Sequence, residues 1–109
     1  MSKNNFHVII VGAGGAGLAA AMYSARLGMK TLILGASHGS ELPVGGVITT
    51  TNLVENYPGF IKLTGQELAK KIEEHAKCYK LVTIKKEKVI DVRKIKNWFS
   101  VKTEKSEYK

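Results

Sequence analysis

A chain of 109 residues has room for one small domain, and 44% hydrophobic with 24% charged residues excludes a disordered or fibrous polymer. The formal net charge of +8 raises a nucleic acid or a membrane surface as a partner. The excess is uneven, with seven Lys/Arg against five Asp/Glu over residues 1–79 and ten against four over residues 80–109. The basic residues of the tail are dispersed between apolar ones, the pattern of solvated strand faces, and no aromatic ladder or nucleic-acid motif accompanies them. A single cysteine, Cys78, allows neither an internal disulfide nor a CxxC pair nor a zinc site. It reads as a partly buried helix residue in a protein of the reducing cytoplasm.

The N-terminus imitates a signal peptide, because Lys3 precedes an apolar run from Val8 to Tyr23. Gly12, Gly14, Gly15 and Gly17 interrupt that run, which disfavours a continuous helix and suits a turn. No uninterrupted apolar stretch of about 20 residues occurs, so no membrane span is expected.

Phe6–Val11 is short, apolar and rich in β-branched residues, the pattern of a central parallel strand buried on both faces. Gly17–Leu27 holds small residues and good helix formers, and Gly28 then supplies a left-handed cap. Thr31–Leu34 is a second short apolar run, closed by Gly35. Strand, glycine turn, helix and strand in this order make a βαβ unit. Ala36–Phe60 carries Pro43, Pro58 and most turn formers, and reads as a long irregular excursion of functional character. A helix then opens at Thr64, which pairs with Glu67 as a capping box, and Leu68, Ile72, Ala76 and Tyr79 form its apolar stripe. The tail offers three strands, LVTI, KVIDV and WFSV, the last two joined by a turn at Lys96 and Asn97.

Gly12, Gly14 and Gly17 spell G-x-G-x-x-G between a strand and a helix, the context a phosphate-binding turn requires. Gly12 allows the tight turn, Gly14 lets a pyrophosphate approach the backbone, and Gly17 lets helix and strand pack closely. The helix start then offers free N–H groups and a partial positive charge to the phosphates. The dinucleotide itself is left open by the residues. An acid about 20 residues beyond the last glycine would grip the ribose of NAD. The chain instead reads Leu34, Gly35, Ala36, Ser37, His38, with no acid before Glu41. Ser37 and His38 would suit a 2′-phosphate in part, but neither is Arg or Lys.

The glycine segment, followed by GGVITTTNLVENYPGF and TGQEL, resembles the N-terminal stretch of low-molecular-weight thioredoxin reductases. Gly45, Gly46, Thr49, Thr50, Thr51, Val54, Glu55, Asn56, Pro58 and Gly59 match that family's GGQLTTTxxVENxPG pattern in order. The resemblance implies an α/β fold: a Rossmann-like three-layer FAD/NAD(P)-binding domain with a parallel βαβ sheet and a small antiparallel β-meander. It implies that this domain is incomplete, residues 1–109 being its N-terminal part. It further implies FAD as cofactor, with NAD(P)H in a further domain. On this resemblance Gly12, Ala13, Gly14, Gly15, Ala16 and Gly17 contact the pyrophosphate. Gly35, Gly46 and Val47 lie along the adenosine and flavin edge. Thr51 and Asn56 bond near the isoalloxazine, and backbone around Glu87 meets the adenine. Hydroxyl and amide groups satisfy flavin carbonyls and ring nitrogens without added charge.

Three departures stand out: Val47 where the family has Gln, Gly15 where it often has Pro, and a longer ASHGSELPV stretch before Gly45. No residue qualifies as a catalytic acid, base or nucleophile. The expected function is the FAD-binding part of an oxidoreductase passing electrons from NAD(P)H through FAD to a disulfide or other acceptor, thioredoxin being the family's usual partner. The alternative is a non-catalytic module binding FAD, ADP or NADP. The sheet is expected to expose an edge that a homodimer or a partner fragment would cover.

Overall fold

The computed structural model describes residues 4–35 and 44–109. Ser37, His38, Glu41 and Pro43 lie outside the described residues. Among these residues the chain forms β1 (Val8–Val11), α1 (Gly15–Arg26), β2 (Thr31–Gly35), a short 3-10 turn (Gly46–Thr50), α2 (Gly65–Lys77), β3 (Val82–Lys86), β4 (Val89–Ile95), β5 (Trp98–Thr103) and β6 (Glu107–Tyr108).

β1, β2 and β3 make a parallel sheet in that order, with Val8 opposite Thr31 and Thr31 opposite Val82. β4, β5 and β6 make an antiparallel meander. The period-two alternation of β2 decides what covers each face of the parallel sheet. Ile33 points one way, into a core with Leu18, Ala21 and Ala76 from the two helices. Leu32 and Leu34 point the other way, into a core with Val101 and Tyr108 of the meander. Helices, parallel sheet and meander are therefore three layers, as the α/β Rossmann-like reading expects. All five residues of β2 are buried. No helix among the described residues is long and apolar enough to cross a membrane.

Helix boundaries follow their local rules. α1 begins at Gly15, two residues earlier than expected, and ends where Gly28 adopts φ 88°. The Gly28 and Met29 amides then donate to Ala25 and Ser24 carbonyls at 2.9 and 3.0 Å, which satisfies groups left open at the helix end. At α2, the Glu67 amide donates to Thr64 Oγ1 at 3.1 Å and the Thr64 amide donates to Glu67 Oε1 at 3.0 Å, the expected capping box. These hydrogen bonds, the backbone one foremost, hold the Glu67 carboxyl below its ordinary pKa. The β4–β5 turn places Lys96 at φ 50°, between the paired residues Ile95 and Trp98.

Two expectations are corrected. The central strand is β2, not β1: β1 lies at the sheet edge among the described residues, and Val11 is 57% exposed. A continuous apolar run marks a strand of a parallel sheet, but pairing on both sides is settled by strand order alone. Cys78 is exposed instead of partly buried. It lies just past α2, two residues beyond the buried Ala76, and a helical step of about 200° turns it away from the core. β6 has no counterpart among the strands the sequence predicts. It is two residues long, too short for a periodic signal.

Candidate functional site

The carboxyl ends of β1, β2 and β3 open on one edge of the sheet. In open parallel sheets of this kind, ligands bind outside these ends. At this edge the chain passes from Val11 into Gly12, whose φ of 107° only glycine adopts readily. The Gly12 amide donates to the Leu34 carbonyl at 2.8 Å, which ties the turn to the end of β2. Gly17, one helical turn further on, lies against the same turn. A Cβ there would stand 2.0 Å from the Gly12 carbonyl oxygen, so only glycine permits this approach of helix to strand.

α1 therefore starts against the sheet edge with Gly14 as its N-cap. The N-cap has no side chain to accept the first amides, and the first turn holds no acid. The leading N–H groups of a helix have no intrahelical acceptor, and their dipoles leave partial positive charge at this end. A diphosphate supplies the missing acceptors and the opposite charge.

A second glycine segment forms the facing wall. The Gly45 amide donates to the Ala13 carbonyl at 2.7 Å, and Gly14 and Gly45 form a parallel bridge. The backbones are so close that a Cβ on Gly46 would lie 3.0 Å from Gly14 Cα. Between the two segments opens a cleft of about 340 Å³, lined by Gly14, Gly15, Gly45, Gly46, Val47, Ile48, Tyr57, Leu68 and Ile72. Its lining combines glycine backbone with the apolar and aromatic side chains of Val47, Ile48, Tyr57, Leu68 and Ile72. That combination suits a ligand with a phosphate part and a flat, weakly polar part. The absence of a first-turn acid and the bare Cα atoms at Gly14 and Gly46 fit the pyrophosphate of a dinucleotide.

Of the residues singled out from the sequence, the cleft brings together Gly14, Gly15, Gly46 and Val47. Gly12, Ala13, Ala16 and Gly17 build the loop and helix start behind it. Gly35 packs against Ala13, its hypothetical Cβ being 2.6 Å from that of Ala13. Thr51 closes the 3-10 turn: its amide donates to Ile48 and its carbonyl accepts from the Gly65 amide at 2.9 Å. Thr51 and Asn56 are both exposed and do not line the cleft. Glu87 stands at the end of β3, in the connection to β4, and its side chain is buried away from solvent.

Sequence reading missed four cleft residues outside the glycines. Leu68 and Ile72 belong to the apolar stripe of α2, and they serve the core as well. Ile48 and Tyr57 lie in the GGVITT and ENYPGF stretches, but nothing in spacing says that this loop folds back over the glycine turn.

Comparisons with known proteins agree with this geometry. Residues 6–109 match the family model described as pyridine nucleotide-disulphide oxidoreductase. A thioredoxin reductase of Peptoclostridium acidaminophilum is 39% identical over 108 residues, which is 98% of this chain and 32% of that protein. The solved thioredoxin reductase of T. acidophilum superposes with a TM-score of 0.84 at 37% identity, over 97% of this chain and 33% of that one. A ferredoxin-flavin thioredoxin reductase from Clostridium acetobutylicum superposes with a TM-score of 0.80 at 28% identity, over 99% of this chain and 35% of that one. The chain thus spans about a third of the length of these relatives.

Proposed function

Because this chain belongs to the pyridine nucleotide-disulphide oxidoreductase family and is thioredoxin-reductase-like, we propose that it holds the ADP portion of FAD, with the diphosphate at the glycine cleft. In this reading it is the FAD-binding part of an oxidoreductase that passes electrons from NAD(P)H through FAD to a disulfide or other acceptor, such as a thioredoxin-like protein. The observation that carries it is the uncapped, acid-free start of α1 against the bare backbone of Gly45 and Gly46.

The residues then divide the work. Amides of the Gly12–Gly17 segment, through Ala13, Gly15 and Ala16, hold the pyrophosphate. Gly35, Gly46 and Val47 let the dinucleotide lie against backbone, and the Glu87 peptide faces the adenine. Thr51 and Asn56 offer a hydroxyl and an amide to the polar rim of the ring system. Bound FAD would supply the redox chemistry. The protein's part is to bind it, orient it and exclude water from one face with Tyr57, Leu68 and Ile72. The chain's single cysteine leaves no dithiol within these 109 residues. Thioredoxin as the acceptor, and the cytoplasm as the location, belong to this same proposal.

The test is a titration of FAD into the purified chain, followed by quenching of flavin fluorescence, with ADP as competitor. Saturable quenching reversed by ADP is expected. Quenching absent at all FAD concentrations, or unaffected by ADP, would refute the reading.

A further inference from the structure

The chain leaves the parallel sheet at Lys86 and enters the meander at Val89, and Glu87 stands at the crossing. Its residue is 8% exposed. The Tyr108 hydroxyl lies 3.0 and 2.9 Å from the two carboxylate oxygens and donates to the pair. The Thr103 hydroxyl donates to Oε1 at 2.7 Å. Both donors are themselves held. The Tyr108 ring meets Phe6 edge-on at 6.2 Å, in the core that also holds Leu32, Leu34 and Val101. Thr103 Oγ1 accepts from the Lys105 and Ser106 amides at 3.1 and 2.9 Å.

A short connection between strands ordinarily turns its polar side chains to water. Burying a carboxylate costs free energy unless its oxygens are well hydrogen-bonded, and here β5 and β6 supply the donors. The place of this arrangement gives it meaning. Lys86 is in register with Gly35, and Gly35 packs on Ala13 of the glycine turn. The 86–88 backbone therefore continues the carboxyl edge that begins at Gly12. A dinucleotide whose diphosphate sits at α1 extends its adenosine along this edge, past the end of β2.

We propose that Glu87 is a positioning residue for a purine base: its carboxylate, pinned by Tyr108 and Thr103, draws the side chain inward and holds the 86–88 peptide edge toward the carboxyl end of the sheet. A peptide edge carries both a donor and an acceptor, which matches the mixed edge of adenine. Flexible chain at this point would have to be ordered on binding, and the pinned carboxylate removes that cost beforehand. The inference rests on the dinucleotide reading of the cleft.

The experiment titrates ADP and inorganic pyrophosphate separately into the full ¹⁵N-labelled chain and reads amide shifts. Glu87→Ala and the milder Tyr108→Phe should each weaken ADP about tenfold while pyrophosphate stays within about twofold. Glu87→Gln keeps an acceptor for both hydroxyls and should restore ADP affinity to within about threefold of the parent. Parallel losses for ADP and pyrophosphate would mean a merely structural role and overturn the proposal, as would unchanged ADP affinity in both weakened variants. A parent chain that binds pyrophosphate but not ADP overturns it too. A parent chain that binds neither overturns the dinucleotide reading itself, and the positioning role with it.

Discussion

The glycine cleft and the meander junction solve opposite problems at the two ends of one sheet edge. At Gly14, Gly17 and Gly46 the molecule is shaped by missing side chains: backbone meets backbone, and a Cβ would stand in the way at Gly17. At Glu87 it is shaped by side chains reaching across the chain, from Thr103 and Tyr108 to one carboxylate. The first region leaves the leading amides of α1 without a side-chain cap or a first-turn acid. The second consumes its polar groups internally and fixes a segment in place. Substitutions should therefore act through added atoms in one region and through lost hydrogen bonds in the other.

The sharpest break is expected at Gly17→Ala. The Cβ placed 2.0 Å from the Gly12 oxygen must push helix and strand apart, at a cost of about 3 kcal/mol or more in urea unfolding. Gly14→Val separates ligand from fold in the same region. A Cβ at Gly14 meets only Gly46 Cα at 3.8 Å, and φ is −77°, so stability should change by no more than about 1 kcal/mol. The side chain would fill the mouth of the cleft, however, and FAD affinity should fall about a hundredfold, roughly 2.7 kcal/mol. Equal stability losses in the two variants would erase the distinction drawn between them.

In the junction, Tyr108→Phe removes a donor from the Glu87 carboxylate and should cost about 1–2 kcal/mol. It has a pH counterpart. Burial foremost, with the Glu87 carboxylate adding and the Ser106 hydroxyl opposing, raises the Tyr108 phenol above its ordinary value of 10.0. A proton held more tightly in the folded state stabilises it below the unfolded pKa. That contribution is lost as pH rises through the folded value. Thermal unfolding of the parent should weaken above about pH 10, and the Tyr108→Phe variant should lose this part of the slope.

The smallest effect belongs to the α2 start, which uses side-chain caps where α1 uses none. Thr64→Ala should cost about 1 kcal/mol. The Glu67 carboxyl is depressed below 4.5, so its contribution is present above the unfolded pKa and fades as pH falls through the folded value. Acid unfolding curves should show a shallower fall in Thr64→Ala than in the parent. No such difference is expected at α1, where no cap exists to titrate.

Much of this was legible because it rests on local rules. The amino-acid sequence alone determined the strand–glycine–helix–strand order, the Gly28 cap and the Thr64–Glu67 box, since each depends on residues within a turn or two of one another. Only the tertiary structure decided that β2 is the buried strand, that Gly45 and Gly46 lie against Ala13 and Gly14, and that Tyr57 joins the cleft. It also decided that Glu87 turns inward to Thr103 and Tyr108. The physical reason is common to all four: partners far apart in the chain meet only when β-strand order and loop path are settled, and no periodicity within a segment encodes which distant backbone or hydroxyl it will meet.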